Sequence, residues 1–341
     1  MRVLVYQFEK VTLFDDQSST HNQYIIARPT EKERRSTTFT ARKTTITMWI
    51  HKLKLMKRLT RQAREEKCDL VLVETHEEGF AASLVFRLFG RGLKLGVLSL
   101  NLPRQHRGWK GILVRWAFHR VDLAFVHSRA DLTELAGKLG LTAGQMAFRK
   151  YWRFMPEAED IDFTRADEIS EPYVLAYGAT DRDYATYFRA MEKLSYHGVA
   201  VVRPWAVEGL SIPENVRVYE HLPLAQLDGL IARAEVCVIP LAGNLPSSGQ
   251  IALLSAYRQG KPTICTEVRG IVDYLMEGAV ITVKPADAEQ LANSISKLMN
   301  DREKRNKLSA NAKKVSETLF SAQAALREVD NAITSRFGAV S

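Results

Sequence analysis

The sequence predicts an α/β protein built from two Rossmann-like domains, and three observations carry that prediction. Runs that are apolar on both faces alternate with helical patterns along the chain, as parallel strands covered by helices do. The alternation lapses once, in the acidic and aperiodic stretch 154–172, FMPEAEDIDFTRADEISEP. A length of 341 residues also exceeds what one hydrophobic core usually organises. The domains expected are therefore 1–153, a linker over 154–172, 173–320, and a last helix over 321–341 packing back toward the first domain. Two such domains facing each other across a cleft are the simplest assembly of the pattern.

In the first domain RVLVYQ (2–7), DLVLVE (69–74), LKLGVLSL (93–100) and VDLAFVH (121–127) read as buried strands. Helical patterns over 48–66, 78–89, 108–119 and 128–139 separate them, the last with Ser128 placed as N-cap and Asp131 in its first turn. In the second domain strands are expected over 173–178, 199–204, 215–221, 235–241, 261–267 and 278–285. Helices are expected over 184–194, 223–234, 286–299 and after the loop that starts at Pro246, with a largely helical tail from Arg302.

The overall composition, 46% hydrophobic and 26% charged, is that of a globular protein. Its charge is uneven. Residues 1–153 hold 28 Lys and Arg against 14 Asp and Glu, a net of +14, while the remainder carries −5. That asymmetry predicts an anionic partner for the first half, the alternative being a solvated basic face. No zinc, helix-turn-helix or aromatic-basic RNA pattern accompanies it, so no nucleic-acid partner is expected. No apolar run approaches the roughly 20 residues that cross a bilayer, and the N-terminal run is too short for a signal peptide. Cys68, Cys237 and Cys265 have no metal or redox spacing and read as buried thiols of a reducing cytosol.

The chemistry is expected in PSSGQIALLSAYRQGKP (246–262), a loop running into a helix that ends at Gly260 with Pro262 beyond. Taken alone, Ser247-Ser248-Gly249-Gln250 could simply cap that helix. Placed after the apolar strand VCVIPL, it lies where a parallel sheet binds ligands. There its hydroxyls, its glycine and the free amides of the helix suit a diphosphate.

The ordered set YVLAYG (173–178), NVRVYEHLPLAQLDGLIARAEVCVIP (215–240), GKPTI (260–264), RGIVDYL (269–275) and PADAEQLA (285–292) resembles the donor-binding half of GT-B glycosyltransferases of the family 4 type. The resemblance covers about 172–315 well and 69–150 loosely. It implies a GT-B fold and transfer of a sugar from a UDP-sugar or GDP-sugar, with neither cofactor nor metal. Carried over position by position, it implies donor-binding roles for Gly178, Thr180 and Arg182 after the first strand of the domain. Arg182 would serve the diphosphate, unless it merely pairs with Asp181 or Asp183. Glu220 and His221 would lie near the base, and Ser247, Ser248, Gly249, Gln250 and Ser255 would complete the site. Ser247 and Ser255 stand where the family usually carries two glutamates eight positions apart. Ser255 can still hydrogen-bond a ribose hydroxyl.

On the acceptor side Glu74-Thr-His-Glu-Glu follows a strand, so His76, Glu77 and Glu78 are candidates for a general base. The alternative is an N-cap with acidic first-turn residues. Two basic helical patterns carry apolar stripes: Trp49, Ile50, Leu53, Met56 and Leu59 in one, and Trp109, Ile112 and Trp116 in the other, the latter with Arg104, Arg107, Lys110 and Arg115. Each stripe either packs on the sheet or meets anionic lipid. The expected protein is thus cytoplasmic and peripheral on the inner face of the cell membrane. It would glycosylate a lipid-linked or cell-envelope saccharide, the alternative being a noncatalytic sugar-nucleotide or saccharide binder of the same fold.

Overall fold

The computed structural model describes residues 1–7, 14, 20–30, 45–101, 108–152, 160–245 and 247–338. The chain divides into two compact units, Met1–Lys150 with Ala322–Ser341, and Tyr151–Ser321. Each is built on a six-stranded sheet whose pairings are all parallel.

In the first unit the sheet runs β2-β1-β3-β4-β5-β6, with β1 Arg2–Tyr6, β2 Gln23–Ala27, β3 Leu70–Thr75, β4 Lys94–Ser99, β5 Leu123–Val126 and β6 Met146–Phe148. The four central strands are those the apolar runs predict. The two edge strands, β2 and β6, carry no such run. Helix α1 (Thr45–Glu65) buries Leu55, Met56, Leu59 and Ala63, with Trp49 and Leu53 packed at the margin. Helices α2 (His76–Phe89), α3 (Gly108–Phe118) and α4 (Arg129–Leu139) follow the next three strands.

The second sheet runs β12-β11-β10-β7-β8-β9, with β7 Tyr173–Tyr177, β8 His197–Val202, β9 Val216–Glu220, β10 Val236–Ile239, β11 Thr263–Thr266 and β12 Ile281–Val283. Strand order reverses between β7 and β10, the point at which a doubly wound sheet opens a crevice at its carboxyl edge. Its helices are α5 (Thr164–Asp167), α6 (Tyr184–Met191), α7 (Leu224–Arg233), α8 (Gln250–Arg258), α9 (Ala288–Asn300) and α10 (Arg302–Leu319). Residues expected in a linker are part of this unit, because Phe163, Ala166 and Ile169 pack into its core.

The tail from Arg302 is two helices. Helix α10 ends at Leu319, and α11 (Ala322–Phe337) belongs to the first unit. Buried Asp330 anchors it there by accepting hydrogen bonds from the His21 and Asn22 amides, the Asn22 side chain and the Tyr24 hydroxyl, with His21 Nδ1 2.8 Å away. Burial alone would raise the Asp330 pKa, but these bonds outweigh it and hold the carboxyl below its ordinary range.

Candidate functional site

The switch point of the second unit is closed by two loops, one leaving β7 and one leaving β10. They are joined as a short antiparallel seam. The Asp183 amide donates to Pro240 O at 3.0 Å, the Ala242 amide donates to Asp181 O at 3.0 Å, and Arg182 bridges Leu241 between them. Asp181 sits in the left-handed region at φ 58°, which aspartate tolerates better than most residues. That conformation turns its carboxylate onto the second loop. It accepts from the Asn244 amide at 3.0 Å, the Leu245 amide at 3.3 Å and Ser248 Oγ at 2.9 Å. Asp183 has a separate task, capping α6 through the Thr186 amide.

Arg182, the residue expected to serve the diphosphate, turns its guanidinium to the backbone of its own turn. Its Nε donates to Tyr177 O at 3.0 Å and its Nη1 to Thr180 O at 2.6 Å, so it braces the turn from beneath. Gly178, at φ 121°, makes room for it, since a Cβ there would lie 2.3 Å from Arg182 Nη2. Burial draws the Arg182 pKa down, yet a guanidinium stays charged at neutral pH and leaves positive potential under the crevice. Thr180 is exposed, its backbone oxygen taken by Arg182.

The serine protons can be assigned from their partners. Ser248 faces a carboxylate, so its hydroxyl proton is given to Asp181. Ser255, one turn inside α8 and buried, gives its proton to Ile251 O at 2.9 Å. Gln250 Nε2 lies 2.8 Å from Gly270 O, which can only accept, and this fixes the orientation of the amide. The same nitrogen donates to Ser247 Oγ at 2.8 Å. Ser247 therefore accepts from within the loop and keeps its proton for a ligand. Of the two hydroxyls expected to donate, that of Ser248 is given to Asp181 here. Gly249 turns the chain at φ 87°, and the first amide engaged within α8 is that of Leu253. The amides of Gln250, Ile251 and Ala252 precede it, as the donors at a helix start do.

Two strands away, His221 follows β9 in a left-handed conformation, next to exposed Glu220. Arg203, at the end of β8, places Nη1 2.6 Å from His221 Nδ1. A guanidinium only donates, so Nδ1 accepts and the ring proton sits on Nε2. Arg203 adds an exposed cation to this edge that sequence reading missed, for it carries no motif.

In the first unit the predicted acceptor residues lie at the start of α2. Thr75 caps the helix and Glu78 completes the capping box, its Oε2 accepting from the Glu74 and Thr75 amides. Burial pushes the Glu78 pKa up to about 7 against those two bonds. Glu77 pairs with Lys52 of α1, whose hydrogen bond holds its carboxyl below the ordinary range. His76 is half-buried beside them. Gln7, buried at the end of β1, has no hydrogen-bond partner for Oε1 among the described residues, and no sequence signal marked it. Of the predicted surface residues, Arg104 and Arg107 lie outside the described residues, while Trp109, Lys110 and Trp116 are exposed on α3. Among the described residues, no group of three or more His, Cys, Asp or Glu could hold a metal ion, and no helix is long and apolar enough to cross a membrane.

Residues 206–315 match the family model for glycosyl transferases group 1. This stretch contains β9, β10 and the whole Ser247–Ser255 segment. The protein is a glycosyltransferase by that domain, and its fold is GT-B. The Anabaena protein HepE, solved with UDP-glucose, has a TM-score of 0.67 at 13% identity over 98% of this chain and 100% of its own. Sucrose-phosphate synthase of Thermosynechococcus elongatus has a TM-score of 0.64 at 14% identity over 99% and 100%. A putative UDP-N-acetylglucosamine 2-epimerase of Listeria monocytogenes has a TM-score of 0.57 at 12% identity over 100% and 97%. Likeness this remote establishes the fold alone. No curated protein matches the chain in sequence.

Proposed function

We propose that this glycosyltransferase moves a sugar from a nucleotide diphosphate sugar, UDP- or GDP-linked, to a lipid-linked or cell-envelope saccharide. The observation that carries the reading is that Asp181 latches Asn244, Leu245 and Ser248 at the switch point of the second unit, just before the N-terminus of α8. In this reading the α8 amides and the Ser247 hydroxyl hold the diphosphate, with Arg182 supplying positive potential from below and Arg203 at the rim. These groups neutralise a leaving diphosphate without a metal ion. The base and ribose lie toward His221 and Ser255. On the acceptor side, Glu78 and His76 are the proposed proton acceptors, Glu78 because its carboxyl titrates near neutrality. The proposed setting is the inner face of an anionic membrane, with the protein peripheral to it.

Transfer and donor hydrolysis by the purified chain, measured with UDP-, GDP- and dTDP-sugars and with and without EDTA, test the reading. Activity that survives chelation is expected, and activity abolished by EDTA and restored by a divalent ion would overturn the metal-free part. A binder without catalysis is the second reading. It is favoured by one observation, that serine hydroxyls, one of them tied to its own helix, stand at both family glutamate positions. Tight donor binding with no turnover would select it.

A further inference from the structure

We infer that helix α3 docks this protein onto an anionic phospholipid surface, with Trp109, Ile112, Leu113 and Trp116 entering the interface. The two basic helices with apolar stripes are equivalent in sequence, and the structure separates them. Helix α1 spends its stripe on the core, where Met56 and Leu59 are fully buried. Helix α3 buries only Ala117 and Phe118. Its residues 109, 112, 113 and 116 follow the i, i+3, i+4, i+7 spacing of one helix face. They remain 70%, 71%, 40% and 46% exposed. A face of this kind is normally the one a helix buries, so its exposure marks a surface that is completed by something else.

Charge selects the occupant. From Gly79 to Val121 the sequence has no Asp or Glu and eight Lys or Arg. The cations are built around the aromatic rings. Arg87 of α2 stacks 4.1 Å from the Trp116 ring and donates to Trp116 O, and Lys110 lies 5.7 Å from the Trp109 ring. Indole rings flanked by cations suit the headgroup level of a bilayer, where the ring enters the acyl boundary and the cation meets phosphate. A second copy of this chain is a poor occupant, because a two-fold contact would set Arg87, Lys110 and Arg115 against the same cations of the other copy.

The inference deepens the proposed membrane setting, and its test needs no turnover, so it can fail while the donor-site reading stands. The full chain is sedimented with phosphatidylcholine vesicles and with vesicles in which about a third of the lipid is phosphatidylglycerol. Wild type is expected to bind the anionic vesicles at least tenfold more tightly, with weakening as salt rises. Trp109→Ala/Trp116→Ala should lose about tenfold in partitioning with an unchanged melting temperature, and Lys110→Glu/Arg115→Glu should abolish the lipid preference. Ile50→Ala, an exposed apolar residue of α1, serves as the control and should bind as wild type. Equal binding to both vesicle types, or binding that survives the double tryptophan variant, would overturn the inference. So would a solution dimer that the same variant dissolves, since the occupant would then be a second copy.

Discussion

Replacing Asp181 probes the latch between the two loops of the donor site. Asp181→Ala removes a carboxylate that accepts from two amides and one hydroxyl at 2.9 to 3.3 Å. It also places alanine at φ 58°. A hydrogen bond to a charged group contributes about 1.5–3 kcal/mol. Two of the three donors lie on an exposed loop, so about 1 kcal/mol for each of the three bonds is the appropriate share. Left-handed strain adds about 1 kcal/mol, and the total comes to about 4 kcal/mol. For a unit of this size that corresponds to a fall in melting temperature of about 8–16 °C. Asp181→Asn tolerates the backbone and keeps one acceptor oxygen, and should lose about half as much. Function discriminates latch from scaffold. With the loop released, donor KM should rise about tenfold, a loss of about 1.4 kcal/mol, while kcat falls much less. The assay is calorimetric melting paired with initial rates against donor concentration, at a temperature where both variants are folded. An alanine variant that melts within about 1 °C of wild type, or one that melts early yet keeps its donor KM, would refute the latch.

Four further outcomes follow from the same structure. Ser247→Ala should raise donor KM about tenfold with little change in melting, because its hydroxyl accepts from Gln250 and can donate to a ligand, whereas Ser248→Ala should reproduce part of the Asp181 phenotype; both are read by the same rate and melting measurements. Gly178→Ala drives a Cβ into Arg182 Nη2, and its donor affinity by calorimetry should fall by at least tenfold, with a melting loss of about 3 kcal/mol. Glu78 has a folded pKa of about 7 against an ordinary 4.5, so its favourable contribution is complete below pH 4.5 and lost as pH rises through 7. Wild type should therefore lose about 1–2 kcal/mol relative to Glu78→Gln between pH 4.5 and 8, seen as converging or crossing melting curves. Asp330→Ala removes an acceptor shared by the Asn22 and Tyr24 donors and should cost about 3–5 kcal/mol, with hydrogen exchange speeding up in α11 and β2 before the rest of the first unit.

The central strands and the switch point were legible because strands buried on both faces must be apolar throughout, as VLVY, LVLV, YVLAY and VCVI are. The edge strands β2 and β6 were not. QYIIA is read against polar neighbours, and its Tyr24 is held by Asp330, more than 300 positions away. The loop before α8 was legible from its place after β10, but the role of each side chain was not. Asp181 acts through a left-handed backbone and partners more than 60 positions distant, whereas in sequence it reads only as a neighbour for Arg182. Arg182 itself turns inward because Gly178 leaves space beneath the turn, a consequence of three-dimensional proximity that spacing does not encode. The stripes of α1 and α3 have the same period, and only tertiary packing decides which of them is covered.

The most direct measurement is thermal stabilisation of the purified chain by a panel of UDP-, GDP- and dTDP-sugars, with wild type and Asp181→Asn side by side. The account predicts that at least one donor raises the wild-type melting temperature by several degrees at saturating concentration, about 2.7 kcal/mol at a hundredfold excess over Kd, and that the Asp181 variant needs about tenfold more donor for the same shift. No shift with any nucleotide diphosphate sugar, or an equal shift in both proteins, would contradict it.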